Sequence, residues 1–268
     1  MNNKKNIYND NPIPPSGVKG RLTVVGAGPG DPELITLKAI KAIESADVIL
    51  YDALINVELL GYASPKAEII FVGKRKGCYA FQQDQINELI VSRAKSHGHV
   101  VRLKGGDPFI FGRGAEEIDY VKPFGIESYV VPGISSAFAV PAYQGIPLTK
   151  RGASESFWVI TGTTKLHQLS NDILLAAQST ATVVILMGMG KLNEIVEVFK
   201  SQNKHDEPIA IIQNGTTVHE KVGYGTINNI VEVVAEKQLA SPAIIVIGEV
   251  VKERVQLTSI YKELAHNS

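Results

Sequence analysis

Cysteine is almost absent from this sequence and so is tryptophan: in 268 residues there is one of each, Cys78 and Trp158. A single thiol excludes an intrachain disulfide and any metal site built from several thiolates. It also fits a reducing compartment. An excess of charge is missing too. The 27 basic and 27 acidic residues cancel, which removes the electrostatic footprint expected of a nucleic-acid-binding protein. No apolar run comes near the roughly 18 residues of a membrane span. The opening MNNKKNIYNDNPIPPSG is polar and rich in asparagine and proline, unlike a signal peptide. Residues 1–20 therefore read as a disordered tail, and the protein as cytoplasmic, with no nucleic-acid or membrane partner. The six histidines have no metal-ligand spacing, so no metal is expected; their reading is structural or surface. Trp158, in the strand FWVI, reads as core.

What the sequence has is a regular beat of short apolar runs and longer helical stretches. RLTVVG, DVILY, AEIIFVG, HVVRLKGG and ESYVVPG read as strands. Between them, ELITLKAIKAIESA, QDQINELIVSRAKSHG and GAEEIDYVKPFG read as helices, the second closed by Gly98 and the third stopped near Pro123. ISSAFAVPAYQG reads as a helix kinked or broken around Pro141. This alternation predicts an α/β fold with a largely parallel sheet covered on both faces. The stretch 145–156, GIPLTKRGASES, interrupts the beat with glycine, proline and charge. Strands then resume as FWVITG, ATVVILMG, PIAIIQNG, KVGYGT and PAIIVIGEVV, in a more mixed pattern. The expected organisation is an N-terminal α/β domain over 21–145, a linker over 146–156 and a C-terminal α/β domain over 157–268.

Two glycine loops follow strands, where ligands bind in open α/β sheets. The first, VVGAGPGDPE, invites comparison with a dinucleotide fingerprint, and Asp52 lies at a suggestive spacing beyond it. Its third glycine comes one residue early, and Pro29, Asp31 and Pro32 crowd the helix start. A carboxylate there repels a pyrophosphate and instead caps backbone amides. A nicotinamide-dependent oxidoreductase of Rossmann type thus stands as an alternative, as does a tight turn with no ligand. The second loop, LKGGDPFIFGRG, joins four glycines to an aspartate, an arginine and two phenylalanines. So permissive a backbone beside such side chains marks a place of close approach.

Taken in order, GAGPGD, FVGKRKG, LKGGDPFIFGRGAEE, VVPGISSA and GIPLTKRG give a pattern that closely resembles the uroporphyrinogen-III C-methyltransferases of the tetrapyrrole methyltransferase family. The resemblance is colinear from about Arg21 to about Leu257. GAGPGD alone is weak; GGDPFIFGRG with VGKR is specific, although other precorrin methyltransferases share part of it and remain an alternative. A non-catalytic tetrapyrrole carrier on the same fold is a third reading. No dehydrogenase–chelatase module precedes the motifs, which implies the stand-alone form.

The resemblance implies two α/β domains of the class III methyltransferase type, a cofactor cleft between them, and a homodimer. It implies S-adenosyl-L-methionine as cofactor and S-adenosyl-L-homocysteine as product. The cofactor contacts carried over are Pro29, Gly105, Gly106, Asp107, Ile110, Ser135, Ser136, Met187, Gly215 and Ala243. Asp52 and Lys74 are implied to handle protons, with Arg113 and Glu116 also implicated in catalysis. The implied substrate is a macrocycle with eight carboxylates, methylated at C2 and then C7 on the way to precorrin-2. Arg75, Arg113, Lys150 and Arg151 are the cations suited to hold it, Lys76 lying beside them, because arginine forks grip carboxylates at two points. Arginine is a poor base, so Arg113 is assigned to anion binding and Glu116 to orienting it. The sequence departs from the family at Ala115, where a second glycine is common, and at Gly190, where an asparagine is often found.

Overall fold

A strand that is apolar at every position must be covered on both faces, and the first half of the chain meets that demand with a parallel sheet. The computed structural model describes residues 19–73 and 81–256, and it divides into two units, Met1–Ile134 and Ser135–Ser268. In the first, β1 (Arg21–Gly26), β2 (Val48–Tyr51), β3 (Glu68–Phe71), β4 (His99–Lys104) and β5 (Glu127–Val131) lie in the order β3-β2-β4-β1-β5, every pair parallel. Successive side chains point to opposite faces. Leu22, Val24, Val48, Leu50 and Val100 pack on one side with Ile86, Ile90 and Ala94 of α2 (Gln83–His97) and Val121 of α3 (Gly114–Val121). Val25, Ile49, Val101 and Leu103 pack on the other with Ala39 and Ile43 of α1 (Leu37–Glu44). The chain leaves β1 toward one edge of the sheet and leaves β4 toward the other. The adjacent carboxyl ends of β1 and β4 therefore form a topological switch point, where diverging loops leave a crevice.

Local chemistry trims the helices read from the sequence. The stretch expected as one helix from Glu33 is instead a single 3₁₀ turn, Pro32–Leu34, followed by α1. Asp31 accepts a hydrogen bond from the Glu33 N–H and Thr36 accepts one from the Ala39 N–H, so each segment has its own cap. Gly98, with φ of 104°, closes α2. Pro123 falls in a 3₁₀ turn beyond α3.

At the opposite, amino-terminal edge of the sheet, His99 is buried and fully engaged. Its Nδ1 lies 2.8 Å from the Ser45 carbonyl and its Nε2 2.8 Å from Thr23 Oγ1. Arg21 Nη2 also stands 3.0 Å from Nδ1, so that nitrogen faces both a donor and an acceptor. The structural reading of this histidine holds.

The second unit has a mixed sheet, as its pattern suggested. Strands β6 (Phe157–Thr161), β7 (Thr182–Leu186), β8 (Pro208–Gln213), β9 (Lys221–Thr226) and β10 (Ala243–Ile247) lie in the order β6-β7-β10-β8-β9. Only β6 and β7 run parallel. Helices α4 (Ser136–Tyr143), α5 (Asp172–Gln178), α6 (Leu192–Ser201) and α7 (Ile230–Glu236) complete it.

Three expectations change here. The units divide before α4 rather than after it, because Ala137 and Val140 of α4 pack with Val184, Ala210 and Val246 of the second sheet. Ile146 joins the same cluster and Lys150 pairs with Ser154 in a short bridge, so much of the expected linker is built into the second unit. Pro141 sits in the last turn of α4 without breaking it. Trp158 is not core: it lies on the edge strand β6 with 37% of its surface exposed. Of the expected tail, only Lys19 and Gly20 lie within the described residues; Lys74, Arg75, Lys76 and Cys78 lie outside them.

His99 gives the fold a pH dependence. Burial lowers its pKa below the ordinary 6.5, and the nearby Arg21 charge adds to the effect, against the Ser45 carbonyl and Asp47. The unfolded chain therefore takes up this proton at higher pH than the folded one. The stabilising contribution is complete above pH 6.5 and is lost as pH falls below it toward the folded-state value. The drop in urea midpoint between about pH 7.5 and about pH 5.5 is expected to be smaller in His99→Gln than in the wild type. Equal drops in the two proteins would remove His99 from the acid response.

Candidate active site

The loops leaving β1, β4 and β5 meet backbone to backbone. Gly28 and Gly106 exchange hydrogen bonds, the Gly106 N–H to the Gly28 carbonyl at 2.7 Å and the reverse at 3.2 Å. A Cβ on Gly133 would stand 2.3 Å from the Gly106 carbonyl oxygen and 2.7 Å from the Gly26 Cα. No side chain fits there, so Gly26 and Gly133 set how closely the three loops approach. Asp107 ties them further. Its Oδ1 accepts from the Phe109 N–H at 2.8 Å and its Oδ2 from the Gly133 N–H at 3.0 Å. Expected only as a ligand, this carboxylate is also a staple between the β4 and β5 loops. Pro29, Gly105 and Gly106 lie half-buried in the same loop cluster.

Beyond Asp107 the backbone is held in an unfavourable region. Phe111 and Arg113 have φ of 52° and 60°, which costs a side-chain-bearing residue free energy and persists only where surroundings enforce it. Eight non-glycine residues among those described have positive φ, and five fall in motif loops: Phe111, Arg113, Met187, Asn214 and Thr216. Strain of this kind concentrates at binding sites. Phe109, Ile110 and Phe111 also leave much of their apolar surface uncovered. Arg113 begins α3 and grips Glu116 as a fork, Nε to Oε1 at 2.9 Å and Nη2 to Oε2 at 2.5 Å, with both side chains about half exposed.

Beneath the loops lies a cluster of four charges, three of which the sequence reading missed. Arg102 and Lys104 alternate with apolar residues on β4, so both face the side of the sheet that carries α3. Asp52, two residues after Leu50 of β2, faces the same way. The Arg102 guanidinium donates from Nη2 to Asp52 Oδ1 at 2.5 Å and from Nε to Glu117 Oε1 at 3.0 Å. Its Nη1 donates to the carbonyls of Leu50 and Leu103 at 3.3 and 3.2 Å. Lys104 Nζ donates to Glu117 Oε1 at 3.0 Å and stands 3.9 Å from Asp52 Oδ2. Arg102, Lys104 and Glu117 are buried, whereas the Asp52 side chain keeps 27% of its surface exposed.

Burial works against the Arg102 charge, but Asp52 and Glu117 outweigh it and hold its pKa above the usual value. Burial, reinforced by Arg102, lowers the pKa of Lys104 despite Glu117 and Asp52. Glu117 Oε2 has no hydrogen-bond partner among the described residues. The available signal was HVVRLK itself, two cations on one face of an otherwise apolar strand.

One detail counts against the dinucleotide reading. The first glycine loop opens onto a 3₁₀ turn capped by a carboxylate rather than onto a helix.

In the second unit Met187 follows β7, Gly215 follows β8 and Ala243 begins β10. The antiparallel register pairs Ala243 with Gln213 and Ile245 with Ile185, which gathers these three positions at one end of the sheet. Gly215 backs onto Val140, where a Cβ would stand 2.3 Å from that side chain. Ser135 caps α4, accepting from the Ala137 N–H at 3.3 Å, and Ser136 is the first helical residue. Lys150 is ion-paired with Glu253, and Arg151 is exposed. Among the described residues, no group of three or more histidine, cysteine or acidic side chains gathers where a metal could be held, and no helix is long and apolar enough to cross a membrane.

Known proteins bear on this geometry. The uroporphyrinogen-III C-methyltransferase of Methanocaldococcus jannaschii is 49% identical over 234 residues, 87% of this chain and 97% of that protein. Siroheme synthase 2 of Pectobacterium atrosepticum is 42% identical over 90% of this chain, which spans only 52% of that longer protein. The solved structure of the Thermus thermophilus uroporphyrin-III C-methyltransferase complexed with S-adenyl homocysteine has the same fold. Its TM-score is 0.76 at 35% identity, covering 87% of this chain and all of that one. The profile of one family matches residues 21–231, and the chain belongs to it: the tetrapyrrole (corrin/porphyrin) methylases.

Proposed function

We propose that the protein is an S-adenosylmethionine-dependent methyltransferase that methylates uroporphyrinogen III at C2 and then C7, giving precorrin-2 by way of precorrin-1. This step opens the routes to sirohaem, cobalamin and haem d1. The observation that carries the reading is the near full-length likeness to a uroporphyrinogen-III C-methyltransferase, together with a carboxylate at the end of β2, beside the switch point. The protein acts in the cytoplasm as a homodimer.

The residues present fit the cofactor. Asp107, though it accepts two N–H groups, retains lone pairs for a hydroxyl or a cationic group. Ile110 and Met187 offer uncovered apolar surface on strained, well-held loops, suited to an adenosyl group. The proposed contacts are Pro29, Gly105, Gly106, Asp107 and Ile110 of the first unit, and Ser135, Ser136, Met187, Gly215 and Ala243 of the second. When bound, S-adenosylmethionine supplies the methyl group on a positively charged sulfur.

The chain's own residues handle the rest. Attack by a ring carbon on the methyl group leaves the macrocycle cationic, and one proton must leave it. Asp52 accepts that proton and returns it to solvent, with Lys74 as its partner in proton handling. Arg113 exchanges Glu116 for a substrate carboxylate, while Arg75, Lys150 and Arg151 hold others.

Three outcomes test this reading. Calorimetric titration should show binding of S-adenosylhomocysteine and none of NAD; the reverse would restore the oxidoreductase reading. Asp52→Asn keeps the shape and removes the acceptor, so it should bind S-adenosylhomocysteine like the wild type yet turn over roughly 10²–10⁴ times more slowly. A collapse of cofactor affinity in that variant would make Asp52 a cofactor ligand instead. Arg113→Lys keeps the charge but loses the fork, and should lower kcat/KM for uroporphyrinogen III with cofactor affinity unchanged. Wild-type kinetics there would leave Arg113 a surface cation.

A further inference from the structure

We propose that Arg102 is a positioning residue that clamps Oδ1 of Asp52 and so makes Oδ2 the oxygen that takes the proton. The inference rests on the reading of Asp52 as the proton acceptor. A carboxylate on the end of a strand can rotate, and its two oxygens are otherwise equivalent. Here they are not. Oδ1 accepts from Arg102 at 2.5 Å, whereas the described cation nearest Oδ2, Lys104, stands 3.9 Å away, beyond hydrogen-bond distance. Among the described residues, the charged groups facing Asp52 are Arg102 and Lys104 of β4, with Glu117 of α3 behind them.

The clamp is itself immobile. Three elements hold the guanidinium: the Leu50 carbonyl of β2, the Leu103 carbonyl of β4 and the Glu117 carboxylate of α3. Its side chain is only 2% exposed. A buried ion pair is weak support for stability on its own, since desolvation offsets much of the attraction. What it does provide is a fixed direction, because a planar fork bound on three sides cannot follow a rotating carboxylate. In the step itself the carbon–hydrogen bond of the methylated macrocycle breaks. Its electron pair stays in the macrocycle and cancels the positive charge, and the proton passes to Oδ2. Arg102 remains protonated throughout and touches no reacting atom.

The test is a double-mutant cycle with Arg102→Lys and Asp52→Asn, using the full chain, S-adenosylmethionine and uroporphyrinogen III. With Asp52 present, Arg102→Lys should lower kcat by roughly 10- to 100-fold, the cost of a misplaced catalytic group. KM and S-adenosylhomocysteine affinity should hold within about 2-fold. In the Asp52→Asn background the same change should cost nothing further. An equal loss in both backgrounds would make Arg102 merely structural and overturn the inference.

If Arg102→Lys fails to fold, Glu117→Gln carries the same cycle. It loosens the Nε anchor while keeping the shape, and should give a smaller loss confined to the Asp52 background. A second readout needs no turnover. The carboxylate stretch of Asp52, isolated by infrared difference between wild type and Asp52→Asn, should shift in Arg102→Lys, and an unmoved band would remove the clamp. Absence of turnover by the wild type overturns the functional reading and this inference with it; turnover with an additive cycle overturns only the role of Arg102.

Discussion

A buried guanidinium has to be met on every side, and the way Arg102 is met organises the first unit. An unpaired charge there would cost several kcal/mol. Each partner that removes this cost is therefore fixed in place: Asp52 at the end of β2, Glu117 on α3, and two backbone carbonyls. The requirement reaches across the sheet and out to a helix. It ties α3, and hence the Arg113 just before it, to β2 and to β4, whose carboxyl end borders the switch point.

Above that cluster a different constraint operates, the close approach of the loops. Gly26 and Gly133 bring three backbones within a distance that no Cβ at either position permits, and Asp107 links two of these loops through hydrogen bonds. A loop so tied can hold Phe111 and Arg113 in a costly conformation, because relaxing them would mean breaking those links. Rigidity below and strain above are two sides of one arrangement. A site whose geometry must not drift is built on elements that cannot move independently.

Much of this was legible in the sequence. The alternation of strand runs such as RLTVVG and HVVRLK with helical stretches declared a largely parallel sheet, and GGDPFIFGRG declared a close-approach loop because only function justifies so many glycines there. Asp31 as a cap followed from its place before Pro32. The misreadings have physical causes too. Trp158 looked like core because a lone tryptophan in an apolar strand usually is, but pattern does not say which strand becomes an edge. Helix α4 was joined to the wrong unit because sequence order does not reveal which sheet covers a small-residue face. Arg102, Lys104 and Glu117 went unnoticed because their meaning is a contact between residues of different elements, which no local pattern encodes.

The charges of the molecule fall into two kinds, and the difference explains how a protein with no net charge can serve a substrate with eight carboxylates. Arg113 with Glu116, and Lys150 with Glu253, are half-exposed pairs. Water and salt screen them, so each is held weakly and its carboxylate can be replaced by another at little cost. The pairs of Arg102 are buried and admit no such exchange, since taking away one partner leaves a charge without solvent. Under the proposed function the surface cations bind by trading one carboxylate for another, leaving net charge to the substrate complex rather than to the free protein. The buried cation is barred from that trade, which suits it to hold a carboxylate still while a proton arrives.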